Sequence, residues 1–181
     1  MTSINLLAFC VALSLPLATA AQPVAQKIPE GFKPLAFMAG SCWEGPLPDF
    51  VAASTGVSEQ ALSHCVRWRL EGHVLTDTLV MSALTPPERG ETNYYWDSET
   101  KTLRYIFWSN AGSYSTGTVK TDGDKIVFDD ERLFGSKGVV HFYTTWTPQG
   151  PDTYIQERRR QNADGTWTPS AVAPFHRKPL K

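Results

Sequence analysis

Apolar and polar residues alternate along most of this chain, and this period of two limits the fold more than any other sequence feature. In the segment 64–70, HCVRWRL, Val66 and Trp68 fall on one face of an extended strand and Arg67 falls on the other. Further strands of this kind are predicted at 74–83, 91–96, 102–108, 113–120, 125–132, 139–147, 153–160 and from Thr166 onward.

Short turn sequences join the predicted strands. The segment 97–101 fits a hairpin connection, and the Asp-Gly pair in 121–124 favours a type I′ turn. A meander of about eight to ten antiparallel strands has exposed edges unless it closes. We therefore predict an all-β fold, a single up-and-down antiparallel barrel, because the alternative of a sandwich normally needs long crossovers. Short helical pieces are predicted only at 35–39 and, in a loop, at 58–62.

The N-terminal segment is typical of a secretory signal peptide. Residues 4–21 carry no charge, Pro16 follows an apolar run, and Ala18-Thr19-Ala20 supplies small residues at the cleavage spacing, although no Lys or Arg precedes the run. A retained membrane anchor is the alternative, but the run is short for a membrane span. We predict a signal peptide at 1–20, an extended leader at 21–34 and one domain at 35–181. The mature chain is then periplasmic or extracellular, with no membrane insertion after cleavage.

Cleavage removes Cys10 and leaves Cys42 and Cys65, an even number in an oxidising compartment. A Cys42–Cys65 disulfide is therefore predicted. Two free thiols or a metal pair are the alternatives, but zinc needs more ligands and the four histidines show no paired spacing. No metal site is predicted.

Charge and motifs exclude several function classes. The formal net charge of -1 gives no field that attracts nucleic acid or an anionic membrane. The sequence holds no Gly-x-Ser-x-Gly, His-Glu-x-x-His, phosphate loop or dinucleotide fingerprint. The acidic run 129–131 is interpreted as a solvated strand end rather than a metal site or carboxylate pair. No catalytic residue is assigned, and whether the protein is an enzyme stays open.

Tyr, Trp and Phe make up 12% of the chain and fall on both faces of neighbouring strands, more than one core face needs. A barrel of about eight strands is just wide enough to hold a small ligand, and aromatic walls with a few polar groups are typical of such cavities. Arginines on these strands face either the lumen or, alternatively, the solvent. The predicted ligand-binding residues are Arg67, Trp68, Tyr95, Tyr105, Trp108, Tyr154 and Arg158.

Three stretches, GSCWEG at 40–45, YYWDSETKTLRYIFWSNAG at 94–112 and DTYIQERRRQNADGTWTP at 152–169, resemble the bacterial calycin-like barrels, relatives of lipocalins and nitrobindin. The resemblance implies that Trp43 is a structural plug at the closed barrel end beneath a late Arg: Arg158, Arg160 or Arg177. This chain has Gly-x-x-Trp where lipocalins have Gly-x-Trp. The nitrobindin likeness makes His176 a candidate haem ligand, but the prolines beside it favour a solvated histidine, and no cofactor is predicted.

The leading functional hypothesis is an exported barrel that holds an apolar or amphipathic small molecule in its lumen. A second is a lumenal enzyme in which a Tyr and an Arg, either Arg67 or Arg158, polarise a substrate carbonyl. A third is a cell-envelope interaction module that uses the outer aromatic surface or the loop 46–62, with a closed lumen. The sequence does not fix the oligomeric state.

Overall fold

A computed structural model describes residues 28–47, 56, 62–136 and 138–178. Ten antiparallel strands form a closed barrel in which each strand pairs with the next and β1 pairs with β10. This confirms the predicted all-β up-and-down barrel. The strands are β1 Ser41–Gly45, β2 Leu62–Arg69, β3 Val74–Met81, β4 Glu88–Asp97, β5 Thr102–Ser109, β6 Tyr114–Asp122, β7 Lys125–Gly135, β8 Gly138–Pro148, β9 Thr153–Gln161 and β10 Trp167–Lys178.

Side-chain alternation decides which residues face the interior. On β2, Leu62, His64 and Val66 are buried, while Arg67 between its inward neighbours is exposed. On β7 the alternation breaks at a bulge. The register of β7 against β8 shifts between Phe128 and Glu131, so that both of these side chains face inward.

The N-terminal segment closes one end of the barrel. Glu30–Leu35 forms a 3-10 helix, and Phe32, Leu35 and Met38 from this segment and the turn after it are almost fully buried. The Phe32 ring meets Trp68 of β2 edge-on, with centroids 5.1 Å apart. We call this segment, residues 30–38, the end plug.

The end plug confirms a short N-terminal helical turn but places it earlier than predicted. The 3-10 helix begins at Glu30, inside the segment predicted to be extended, and a hydrogen-bonded turn continues it over the region 35–39 where the helical turn is predicted. The predicted signal peptide at 1–20 lies outside the described residues, as does the helical piece at 58–62 except for Leu62, which begins β2. No helix among the described residues is long and apolar enough to cross a membrane.

Trp43 and the disulfide fix β1 within the barrel. Trp43 is fully buried, and Arg177 of β10 covers its ring with the guanidinium carbon 4.7 Å from the centroid. Of the three arginines considered for this position, Arg177 is therefore the one in place. Cys42 and Cys65 are register partners on β1 and β2 with Cα atoms 4.0 Å apart, and they form the predicted disulfide.

Candidate functional site

A cavity of about 380 Å³ lies inside the barrel, at the end away from the end plug. We call it the lumenal cavity. Leu62 lines it, whereas Trp68 at the other end of β2 packs on the end plug. Much of the wall is apolar and includes Leu79, Met81, Phe107 and Leu133, and the floor is aromatic, with Tyr94, Tyr105, Phe128 and Trp146. The Phe128 and Trp146 rings pack with centroids 4.4 Å apart, which fixes the floor.

The cavity wall also holds a charged pair. The Arg158 guanidinium donates to Oε1 of Glu131, and Thr144 Oγ1 donates to Oε2 of the same carboxylate at 2.6 Å. We call Glu131, Thr144 and Arg158 the polar cluster. Glu131 is 7% exposed, so its charge depends on these partners. The planar Arg158 group also stacks on Phe142, with Cζ 3.7 Å from the ring centroid.

Backbone geometry places the polar cluster. The β7 bulge adds one residue, so that Asp129 and Asp130 together lie opposite Tyr143 of β8, and Asp130 takes a φ of 51°. Glu131 therefore faces the lumen, where it meets Thr144 of β8 and Arg158 of β9. On the neighbouring position of β9, Gln156 accepts a hydrogen bond from Trp146 Nε1 at 2.9 Å, which ties the polar wall to the aromatic floor.

Two tyrosines of the cavity have strongly perturbed hydroxyls. Burial raises the pKa of Tyr94 well above its usual value, and the negative charge of Asp77 raises it further. Burial and then the Glu131 carboxylate raise the pKa of Tyr105 in the same way. Both hydroxyls therefore stay protonated at neutral pH and offer a proton to a hydrogen-bond acceptor in the cavity.

A second buried polar network lies one layer below the floor. His64 Nδ1 lies 2.9 Å from Asp77 Oδ2, and His64 Nε2 lies 2.8 Å from the Tyr154 hydroxyl. All three residues are at most 5% exposed. Burial, then the charges of Asp77 and Tyr94, raise the pKa of Tyr154 well above its usual value. None of the three lines the lumenal cavity, so the network supports the floor instead of contacting a ligand.

The structure brings together only part of the predicted ligand site. Tyr105 and Arg158 line the lumenal cavity. Tyr154 lies beneath the floor, with its ring centroid 5.1 Å from that of Trp146, and Trp68 packs against the end plug.

Three predicted ligand residues lie on the outer face of the barrel and are exposed: Arg67, Tyr95 and Trp108. The prediction that they line the lumen is wrong. Each directly follows an inward-facing residue on its strand, and adjacent strand residues face opposite sides. Tyr94, for example, is 4% exposed whereas Tyr95 is 39% exposed. In the enzyme hypothesis, Arg67 cannot contact a substrate in the lumen.

Sequence reasoning missed several residues of the site. Glu131 was assigned to a solvated strand end, but it is buried in the polar cluster because the β7 bulge changes which residues share a face. His64 carried no signal beyond its inward position on β2. Tyr94 and Trp146 stand in the aromatic rows of the sequence, but aromatic residues on both faces of these strands leave open which face points inward.

The histidines do not fit a haem group in the lumen. His176 is exposed on the outer face of β10, where its Nδ1 lies 3.3 Å from the Thr153 hydroxyl. His64 faces inward, but both of its ring nitrogens already have hydrogen-bond partners. His73 and His141 are exposed. Within the described part of the chain, no group of three His, Cys, Asp or Glu side chains is arranged to hold a metal ion.

A larger groove of about 1020 Å³ lies on the outside, between the end plug and strands β4–β6. Trp96 and Lys120 line it, but Lys120 is engaged in an ion pair with Asp129. The groove lacks the buried polar group that distinguishes the lumenal cavity. We therefore assign the candidate site to the lumen.

Comparisons with known proteins add no assignment. A scan against protein-family models finds no match for this chain, and a search among curated proteins finds no similar sequence. The closed ten-stranded barrel is compatible with a calycin-like fold.

Proposed function

We propose that this protein is an exported, calycin-like barrel that binds a small apolar or amphipathic molecule in its lumenal cavity. The observation that carries the proposal is the cavity itself, about 380 Å³ with apolar walls and one buried polar cluster. Ligand sites in proteins are typically concave, mostly apolar and supplied with a few fixed polar groups.

The cavity wall favours a ligand with a distinct apolar body. Leu79, Met81, Phe107 and Leu133 offer surface that a ligand removes from water, at about 25 cal/mol for each Å² buried. Tyr105 on the floor and the polar cluster on the wall supply hydrogen-bonding groups for a polar end of the ligand. An amphipathic molecule therefore matches both the apolar and the polar parts of the cavity.

The disulfide supports export. A Cys42–Cys65 bond forms and persists in oxidising compartments and is rare in the cytosol. Together with the signal-like segment at 1–20, it favours a periplasmic or extracellular location.

The two alternatives receive less support. The interaction-module hypothesis predicts a closed lumen, whereas the described part of the barrel encloses a cavity. The enzyme hypothesis needs Arg67 or Arg158 to polarise a substrate carbonyl, but Arg67 is exposed on the outer face, and the Glu131 carboxylate offsets the charge with which Arg158 would polarise it. Binding without turnover is the function that this geometry favours.

A dye-binding experiment tests the proposal. N-phenyl-1-naphthylamine is uncharged and fluoresces more strongly in apolar surroundings, so saturable fluorescence on titration reports entry into the cavity. Leu133→Trp fills the cavity from the apolar wall, and Val172→Trp adds the same side chain at an outer position that is 63% exposed. We expect dye binding by the wild type and Val172→Trp and loss of binding by Leu133→Trp.

Equal dye binding by both tryptophan variants places the dye elsewhere and contradicts the proposal.

Native mass spectrometry of the mature protein, purified from its own compartment, complements the dye experiment. A mass above that of the disulfide-bonded chain, lost on denaturation, identifies a bound ligand by its difference. The circular dichroism spectrum of each variant establishes that the barrel has folded.

A further inference from the structure

The charges around the lumenal cavity are unequal. Among the described residues that line it, Glu88 and Glu131 carry carboxylates and Arg158 is the only cation. Just below the floor, Asp77 Oδ2 lies 2.9 Å from His64 Nδ1, and the other oxygen of Asp77 has no hydrogen-bond partner among the described residues. The positive charge of Arg158 is therefore already paired with Glu131, and the other charged side chain that lines the described part of the cavity, Glu88, is negative.

Glu131 limits how strongly the Arg158 guanidinium can attract a negatively charged ligand. The two side chains form a hydrogen-bonded ion pair, and a hydrogen bond from Thr144 to the second oxygen of Glu131 holds the carboxylate in place. A ligand carboxylate competes with Glu131 for the guanidinium and lies close to the charge of this buried carboxylate, where like charges repel more strongly than in water. A hydroxyl or carbonyl group meets no such repulsion.

We infer that Glu131 is a charge filter, which makes the cavity selective for ligands with an uncharged polar head, such as an alcohol, ketone or amide, over carboxylates of the same chain length. The inference rests on the proposed function, because it names the ligand class of the same cavity. Arg158 and the tyrosine hydroxyls orient the head group, and Glu131 excludes anions.

The test compares 1-octanol and octanoate, which share an eight-carbon chain and differ in the charge of the head group. Each competes with N-phenyl-1-naphthylamine at neutral pH, and the ratio of their competition constants is the selectivity. We expect the wild type to prefer octanol. Because any apolar cavity disfavours a carboxylate, the decisive quantity is the change of this ratio when Glu131 loses its charge.

Glu131→Gln keeps the size of the side chain and an acceptor for Thr144, but it removes the negative charge. We expect the selectivity to shift toward octanoate by roughly tenfold or more, because the Arg158 charge is no longer matched. Glu157→Gln removes the same charge from the outer face of β9, where Glu157 is half-exposed near Lys125. This control is expected to leave the ratio at the wild-type value.

A second variant is expected to shift the octanol-to-octanoate selectivity in the opposite direction, and it tests the inference if Glu131→Gln does not fold. Arg158→Gln removes the only cation among the described residues that line the cavity, so octanoate is expected to bind roughly tenfold more weakly relative to octanol. Circular dichroism and thermal unfolding show which variants are folded.

The outcomes separate this inference from the proposed function. If the wild type binds no dye, the proposed function fails and the charge filter fails with it. If the wild type binds dye but prefers octanoate, or if a folded variant at Glu131 or Arg158 keeps the wild-type ratio, ligand binding stands and the charge filter is overturned. Opposite shifts in the two variants support the filter.

Discussion

The guanidinium of Arg177 lies over the indole ring of Trp43, its Cζ 4.7 Å from the ring centroid, and the two residues are register partners on β10 and β1. Arg177 also donates to the carbonyl oxygens of Phe37 and Pro151, each at 2.9 Å. One side chain therefore joins the first strand, the segment before it and a loop at the closed end of the barrel.

Replacement of Arg177 by alanine is expected to lower the free energy of unfolding by about 2–3 kcal/mol, from the lost cation–π contact and the lost hydrogen bonds. Arg177→Lys keeps the charge but not the planar fork, so it is expected to recover only part of the loss. Urea denaturation measures both. Arg67→Ala, at an exposed position on β2, is the control and should change stability by less than about 0.5 kcal/mol. Equal effects at both positions contradict the role assigned to Arg177.

The disulfide is expected to contribute to stability through its loop. Cys42 and Cys65 are separated by 23 residues, and the chain-entropy model gives about 3 kcal/mol for a loop of this length. A double variant with alanine at both positions should lose stability by this amount in urea denaturation. A reductant should destabilise the wild type but not the double variant. Unchanged unfolding of the wild type in reductant contradicts the prediction.

The sequence predicts the barrel because its main determinant is local. On β2, the alternation that places Val66 and Trp68 opposite Arg67 is visible without any tertiary information, and the same holds for most strands. Local sequence also locates the turns. The two loop residues between β6 and β7 are Gly123 and Asp124, however, and not the Asp122-Gly123 pair that favours a type I′ turn in the sequence. Gly123 takes the φ of 61° there, while Asp124 does not.

The candidate site is less predictable because it depends on bulges and on contacts between distant strands. A strict alternation puts Asp129 and Glu131 on one face, but the β7 bulge separates them and buries only Glu131. His64 and Tyr154 are 90 positions apart and meet only because the sheet closes on itself. No local signal in the sequence reports either event.

The hydroxyl of Tyr154 is expected to stabilise the barrel through His64. Tyr154→Phe leaves His64 Nε2 buried without its partner at 2.8 Å, and such a loss costs about 1–3 kcal/mol. Tyr143→Phe is a matched control, because Tyr143 is half-buried outside this network. Thermal or urea unfolding of the two variants gives the comparison. A Tyr154→Phe protein as stable as Tyr143→Phe contradicts a structural role for the hydroxyl.

Alkaline titration should report the burial of three tyrosines. Burial raises the pKa of Tyr94, Tyr105 and Tyr154 in the folded protein, whereas in the unfolded chain these hydroxyls ionise near the usual value of about 10. The unfolded state therefore loses protons first, and the stability from these groups is complete below about pH 10 and declines as the pH rises above it.

The ultraviolet absorbance of tyrosinate measures this ionisation. The three buried tyrosines should ionise only together with the loss of the near-ultraviolet circular dichroism signal, because their hydroxyls reach water only when the barrel opens. Tyr105→Phe should reduce the absorbance change that accompanies this loss. An absorbance change that reaches the value for six tyrosinates while the circular dichroism signal is retained contradicts the burial of the cavity floor.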